Sequence, residues 1–340
     1  MNEEEKMIPQ NQSAFYIDTF RPEDAEGIVR LFRSVYGEGY PIRLFYDREA
    51  IIAANREGSY ISIVARTPDG QVIGVSPLYR SSPYRGLYEV GVGLVLKDYR
   101  NSGASKATLS YLFNEFVPKN PQIEELFGEA VCNHVFMQKT IPPSMHKETA
   151  IEVALMPAEA YTTEKSAQGR VAVLDAFRCY VTKPHQIFLP PVYEEILGRT
   201  YSRLDYDRTI DISEVELPSS SQTRAELQIF DFARVARIAV EHAGSDFAAR
   251  ISELESNARA KNVIVFQVWL NLAEPWVGGA AELLREKGYF YGGALPRWFD
   301  SDGLLMQKTD CDPDFENIIL YADFSKELLE FIQRDRKQLY

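Results

Sequence analysis

Six consecutive residues, Arg100-Asn101-Ser102-Gly103-Ala104-Ser105, follow an apolar run from Val90 to Leu96. They precede a stretch in which Leu109, Leu112, Phe113 and Phe116 recur at the spacing of one helix face. A turn placed there aims successive backbone N–H groups, with the positive end of the helix dipole behind them, at whatever lies above the helix start. A pyrophosphate suits that geometry, and Gly103 permits the close backbone approach. Two carboxylates, Glu89 and Glu129, stand in apolar strand-like runs. A carboxylate set in that way and pointing into a cleft has its pKa raised and can take a proton near neutral pH. His134 follows the second of these runs and is a further candidate, as a base or as a relay through water. Each has a plainer alternative: Glu89 facing water at a strand start, Glu129 paired with Arg100 or Lys139, and His134 hydrogen-bonded in its loop. Cys132 is apolar in context and reads as core, not as a nucleophile.

The elements that must position these residues follow from the pattern. A strand over Phe15 to Phe20 is followed by a helix opened by Arg21-Pro22-Glu23-Asp24, where proline and acids suit the first turn. Ile28, Leu31, Phe32 and Val35 form its buried face, and Gly37 and Gly39 end it. A second helix, about Asp47 to Glu57, precedes a hairpin of Tyr60 to Arg66 and Val72 to Arg80 around Pro68-Asp69-Gly70. Strands are expected over Leu87 to Leu96, Leu126 to Val131, Ile151 to Met156 and Arg170 to Val181. Tyr36, Tyr40, Phe45 and Tyr46 crowd the region between the first two helices, either as aromatic core or as the wall of an acceptor pocket. Residues 1 to 13 are polar and expected to fray.

Composition narrows the classes. At 340 residues the chain is long enough for two cores, and 45% hydrophobic with 25% charged residues is ordinary for a soluble globular protein. No apolar run approaches a membrane span, and the opening MNEEEK lacks the features of a signal peptide, so a cytoplasmic location is expected. Cys132, Cys179 and Cys311 are dispersed, and the four histidines form no ligand cluster, so neither a disulfide framework nor a structural metal is expected. The net charge of −12, with more of the acidic excess after residue 182, disfavours nucleic acid and anionic lipid and favours a cationic partner such as an amine.

The order Arg100-x-x-Gly103-x-Ser105 after a hydrophobic strand resembles the acyl-CoA loop, Arg/Gln-x-x-Gly-x-Gly/Ala, of the GCN5-related N-acetyltransferase (GNAT) superfamily. Ser105 departs from the usual last position. The run of elements over residues 14 to 182 resembles the complete fold of that superfamily, an α+β sandwich around a mixed, mostly antiparallel sheet. The resemblance implies that the strand before the loop and the one after the long helix splay apart to admit a thioester. It implies further that N–H groups around Leu94, Val95 and Leu96 polarise the carbonyl and hold the pantetheine, and that the diphosphate rests on Arg100, Asn101, Ser102, Gly103, Ala104 and Ser105. The tyrosine that many relatives use as general acid is replaced by Phe136.

Thr182-Lys183-Pro184 and Leu189-Pro190-Pro191 read as a linker, followed by a helix from Val192 to Leu204 and a poorly periodic stretch around Ser219 to Ser221. From Glu226 two strands, a helix around Phe247 to Ala260, a strand over Asn262 to Leu270 and a helix Ala280 to Lys287 repeat the middle of the first half. Two domains are therefore expected, 1–182 a GNAT domain and 183–340 a degenerate GNAT-like copy. In the second, His242-Ala243-Gly244-Ser245-Asp246 replaces the CoA loop, and Asp246 is expected to cap the helix and repel phosphate. Arg21 to Gly27, Gly128 to Val131, Gln138-Lys139, Gly288 to Phe290 and Ala294 to Gln307 look like a set of bacterial acetyltransferase-like proteins, some joined to an anti-sigma-factor-type ATP-binding module whose nucleotide boxes are not found here. The function implied is acyl-CoA-dependent N-acylation, with acetyl-CoA as co-substrate and a primary amine of a small molecule or protein as acceptor. Glu89 is the first choice of base, with Glu129 second. The alternatives are a silent CoA-binding regulator and a pure interaction module, and a homodimer is left open.

Overall fold

The computed structural model describes the chain apart from residues 1–14, 39, 41, 141–145, 159–168 and 205–206. The expected ending of the first helix at Gly39 and the expected fraying of residues 1 to 13 lie outside the described residues. The fold class is the expected one, α+β with a mixed, mostly antiparallel sheet. By internal contacts the chain forms two compact units, one of residues 1–80 and 90–120, the other of 81–89 and 121–340.

In the first unit β1 (Tyr16–Thr19), β2 (Tyr60–Arg66) and β3 (Val72–Tyr79) form an antiparallel sheet. Helix α1 (Ala25–Tyr36) buries Ile28, Leu31 and Phe32 at its expected face, and α2 (Arg48–Glu57) is capped by Asp47, whose carboxylate accepts from the Glu49 and Ala50 N–H groups. The aromatic group resolves toward core filling. Phe32 stacks on Phe45 with centroids 4.0 Å apart, Tyr40 packs edge-on to both, and the Tyr40 N–H donates to the Tyr46 hydroxyl at 2.9 Å.

The long strand expected over Leu87 to Leu96 is broken into β4 (Leu87–Val90) and β5 (Leu94–Val95). Val92 takes a φ of 51° between Gly91 and Gly93, outside the β region, and the strand stops on either side of it. Beyond β5, α3 (Ala104–Tyr111) docks on β3 through a buried hydroxyl pair, Ser76 Oγ and Thr108 Oγ1 at 2.8 Å. The helical path then widens into a π turn at Leu112–Phe116 and ends in a 3-10 turn at Val117–Lys119.

The second unit holds β6 (Glu125–Val131), α4 (Phe136–Thr140), β7 (Lys147–Pro157), β8 (Arg170–Cys179), β9 (His185–Leu189), α5 (Glu194–Tyr201) and β10 (Arg208–Ile212). It continues with β11 (Arg224–Phe230), β12 (Val235–His242), α6 (Phe247–Arg259), β13 (Val265–Asn271), α7 (Val277–Glu286), β14 (Phe290–Leu295), β15 (Gly303–Thr309) and α8 (Asp323–Leu339). Its strand order is β4-β6-β8-β7-β14-β15-β13-β12-β11. Two features correct the expected linker and poorly periodic stretch. His185–Leu189 and Arg208–Ile212 are paired parallel strands, tied down by Asp302, which accepts from Arg208 at two nitrogens and lies 3.3 Å from His185 Nε2.

The pairing pattern occurs twice. β4 and β6 are parallel and β6 and β7 each lie antiparallel to β8; β12 and β13 are parallel and β13 and β14 each lie antiparallel to β15. The two runs meet at β7 and β14, paired antiparallel at Gly293 and Ala150. A Cβ on Gly293 would stand 2.3 Å from Ala150 Cα and from the Thr149 carbonyl, so only glycine lets these backbones approach.

Candidate active site

The turn before α3 has the conformation that its sequence suggests. Asn101 and Gly103 take φ of 70° and 89°, and nothing within 4 Å meets a Cβ placed on Gly103, so the space over the turn is open. The amides divide into two sets. Arg100 and Ser102 donate to the Lys97 and Tyr99 carbonyls, and Ala104 donates to Ser102 Oγ at 3.3 Å. Asn101, Gly103, Ser105 and Lys106 show no N–H partner among the described residues, and no side chain caps the helix. The expected cradle of six is therefore narrower, because the turn consumes some of its own donors.

A second correction concerns Leu94, Val95 and Leu96. β5 pairs with β3, Val95 opposite Gly74 and Leu94 opposite Val75, and the Leu96 N–H donates to the Ile73 carbonyl at 2.8 Å. Antiparallel pairing alternates its bonded residues, so Leu94 and Leu96 spend their donors on β3 and Val95 points the other way. Of the three, Val95 is the residue with a backbone N–H to offer a carbonyl.

In the second unit, β4 and β6 pair through Leu87↔Glu125, Tyr88↔Leu126 and Glu89↔Phe127. Among the described pairings theirs ends at Glu89, while β6 continues to Val131 along β8. Glu89 is thus the last paired residue where β4 leaves β6. On β6 and β8, Glu129 lies opposite Asp175, and Glu152 of β7 lies opposite Val173.

Two of these carboxylates, Glu129 and Glu152, share one cation. Arg237 of β12 donates through Nη2 to Glu152 Oε2 at 3.1 Å and to Glu129 Oε1 at 3.3 Å, and through Nε to Gln267 Oε1 at 2.8 Å. Gln267 in turn donates to Glu152 Oε2. Glu129 pairs with Arg237, and with neither Arg100 nor Lys139. Glu89, Glu152, Asp175 and Arg237 are buried, while a fifth of the Glu129 side chain reaches solvent. Burial, then the charges of Glu89 and Glu152, push the Glu129 carboxyl well above the usual carboxylate range, opposed by Arg237. Burial, then Glu152 and Glu129, push Asp175 up in the same way. Desolvation works to lower the Arg237 guanidinium, but the surrounding carboxylates outweigh it and hold its pKa above the ordinary value.

His134 is not tied to this cluster by any described contact. Its Nδ1 accepts from the Phe136 N–H at 3.4 Å and its carbonyl takes the Gln138 side chain, so it organises the start of α4. Burial pushes the Cys132 thiol up, in line with a core residue. Sequence reading missed Glu152, Asp175 and Arg237, which only strand register brings together. A signal was present: each is a charged residue with apolar neighbours on both sides, Ile151 and Val153, Leu174 and Ala176, Ala236 and Ile238.

In the second run of the pattern, β12 and β13 pair without interruption from Val235↔Val265 to Val240↔Leu270, so no gap opens. The amides of Gly244 and Ser245 go to Thr223 Oγ1 and the Ser221 carbonyl. Asp246 does not cap α6 as expected; its carboxylate accepts from the Thr223 N–H at 2.7 Å. The loop is closed by residues 221–223.

Comparison with known proteins gives the following. No family model matches the sequence, and no curated protein matches it. Solved structures do match over about half of the chain. The ribosomal-protein-S18-alanine N-acetyltransferase of Escherichia coli is 15% identical with a TM-score of 0.38, covering 50% of this chain and 96% of its own. An N-acetyltransferase of Staphylococcus aureus is 15% identical with a TM-score of 0.39, covering 49% and 99%. An acetyltransferase of the GNAT family from the same species is 14% identical with a TM-score of 0.35, covering 49% and 99%.

Proposed function

We propose that this chain is a GNAT-type N-acyltransferase that uses acetyl-CoA to acylate a primary amine, with residues 1–182 the working copy and 183–340 a copy that has lost its CoA loop. The observation that carries the reading is the α3 start: a left-handed glycine, unobstructed space above it, and the unspent N–H groups of Asn101, Gly103, Ser105 and Lys106 in front of the helix dipole. These groups hold the CoA diphosphate. The Val95 N–H polarises the thioester carbonyl.

The amine nitrogen attacks that carbonyl, the new C–N bond forms and the C–S bond breaks. The ammonium proton passes to a carboxylate and the thiolate leaves with a proton from solvent. Glu89 takes the proton in this reading. It stands where β4 and β6 part, and its charge is felt by Glu129 and Asp175. Calorimetry with acetyl-CoA, followed by steady thiol release with a panel of amines, tests the reading. Glu89→Gln should keep CoA affinity and lose about 10²-fold or more in kcat; unchanged turnover at every pH would remove Glu89 from the role.

A further inference from the structure

Three carboxylates, Glu129 of β6, Glu152 of β7 and Asp175 of β8, stand around one cation, Arg237 of β12: Glu129 and Glu152 accept from it, and Asp175 lies opposite Glu129. Two negative charges are left over among groups that are wholly or largely buried. A charge excess of that size is not carried bare in a low-dielectric interior; protons or a cation must balance it.

The geometry favours the second. Carboxylate oxygens of Glu129, Glu152 and Asp175 all lie within 4.8 Å of one another. Two oxygens bound on opposite sides of one hard cation at ~2.3–2.6 Å are separated by about that much. Asp175 adds an independent indication. It is 1% exposed, and neither of its oxygens has a hydrogen-bond partner among the described residues, a condition that a buried carboxylate reaches only at considerable cost. Arg237 and Gln267 both donate to Glu152 Oε2, whereas Oε1 takes one longer contact, from Arg237 Nη2 at 3.5 Å, and has room for another partner. The partly exposed Glu129 gives a way in.

We propose that Glu129, Glu152 and Asp175 form a binding site for a hard divalent cation, with Arg237 and Gln267 holding the carboxylates in place. This departs from the expectation drawn from cysteine and histidine spacing, since all-oxygen sites need neither residue. With a divalent cation bound, Glu129, Glu152, Asp175, Arg237 and the metal sum to a net charge near zero. The site also separates the two acids of the sequence analysis: with Glu129 occupied as a ligand, the proton-accepting role proposed above falls to Glu89.

The test uses the full chain, stripped with a chelator and titrated with Mn²⁺, Mg²⁺ and Ca²⁺ by calorimetry and thermal melting. One ion should bind per chain and raise the melting temperature, and binding should tighten from pH 6 to pH 8 as protons cease to compete. Asp175→Asn, nearly isosteric and neutral, should melt in chelator no lower than the parent and bind the ion about 10-fold or more weakly. Glu129→Gln, at the open edge, should weaken binding in the same way and covers the case in which the first variant does not fold. No heat and no melting shift at millimolar ion would overturn the proposal, as would both variants binding as the parent does. CoA titration does not read this site, so failure here leaves the transferase reading standing and failure there leaves this one.

Discussion

A carboxylate buried beside other carboxylates folds more easily with its proton on. Glu129 and Asp175 are both raised by burial and by their acidic neighbours. Below about pH 4, where unfolded carboxylates hold their protons, folding costs these groups little. Above that the unfolded chain releases protons first, so stability falls as pH rises toward the raised folded values. In chelator, the urea midpoint should therefore drop between pH 5 and pH 8, and Asp175→Asn should flatten part of that drop. Parallel pH profiles for parent and variant would show that Asp175 is not titrating as described. At this scale the sequence was informative about Glu89 and Glu129 as charged residues in apolar strands. It was silent on Asp175, Glu152 and Arg237, because positions 129, 152 and 175 become neighbours only through the pairing of β6, β8 and β7, and Arg237 reaches them from β12, a strand paired with none of the three.

At the scale of elements, one glycine carries structure that no side chain could. Gly293 lets β14 reach β7, and its φ of 141° with a virtual Cβ 2.3 Å from two backbone atoms leaves no room for substitution. Gly293→Ala should lower stability by about 2–4 kcal/mol, from overpacking and backbone strain together, read as a lower urea midpoint at unchanged slope. A midpoint equal to that of the parent would mean that the β7–β14 joint is looser than its geometry. Helices and hairpins were legible because their period and turn residues are local: Asp47 caps α2, and Pro68-Asp69-Gly70 turns β2 into β3. The break at Val92 and the parallel pair β9–β10 were not, since one depends on a single backbone dihedral and the other on Asp302, far along the chain.

At the scale of the molecule, a pattern of strand, helix and parallel strand occurs twice, but the two versions treat their turns differently. Before α3 the Asn101, Gly103, Ser105 and Lys106 amides have no partner among the described residues; before α6 those of Gly244 and Ser245 are taken up by Thr223 and Ser221, and β12 and β13 stay paired throughout. That the second turn differs from the first was legible in its residues, whereas the means was not: expected capping by Asp246 is replaced by a packed segment, 221–223. No described helix is long and apolar enough to cross a membrane. The most direct measurement is a calorimetric titration of the full chain with acetyl-CoA, alongside Gly103→Val, whose branched side chain opposes the left-handed turn. The expected result is one site per chain for the parent and binding weakened about 10-fold or more in the variant. No saturable heat, two sites per chain, or equal affinity in both proteins would contradict it.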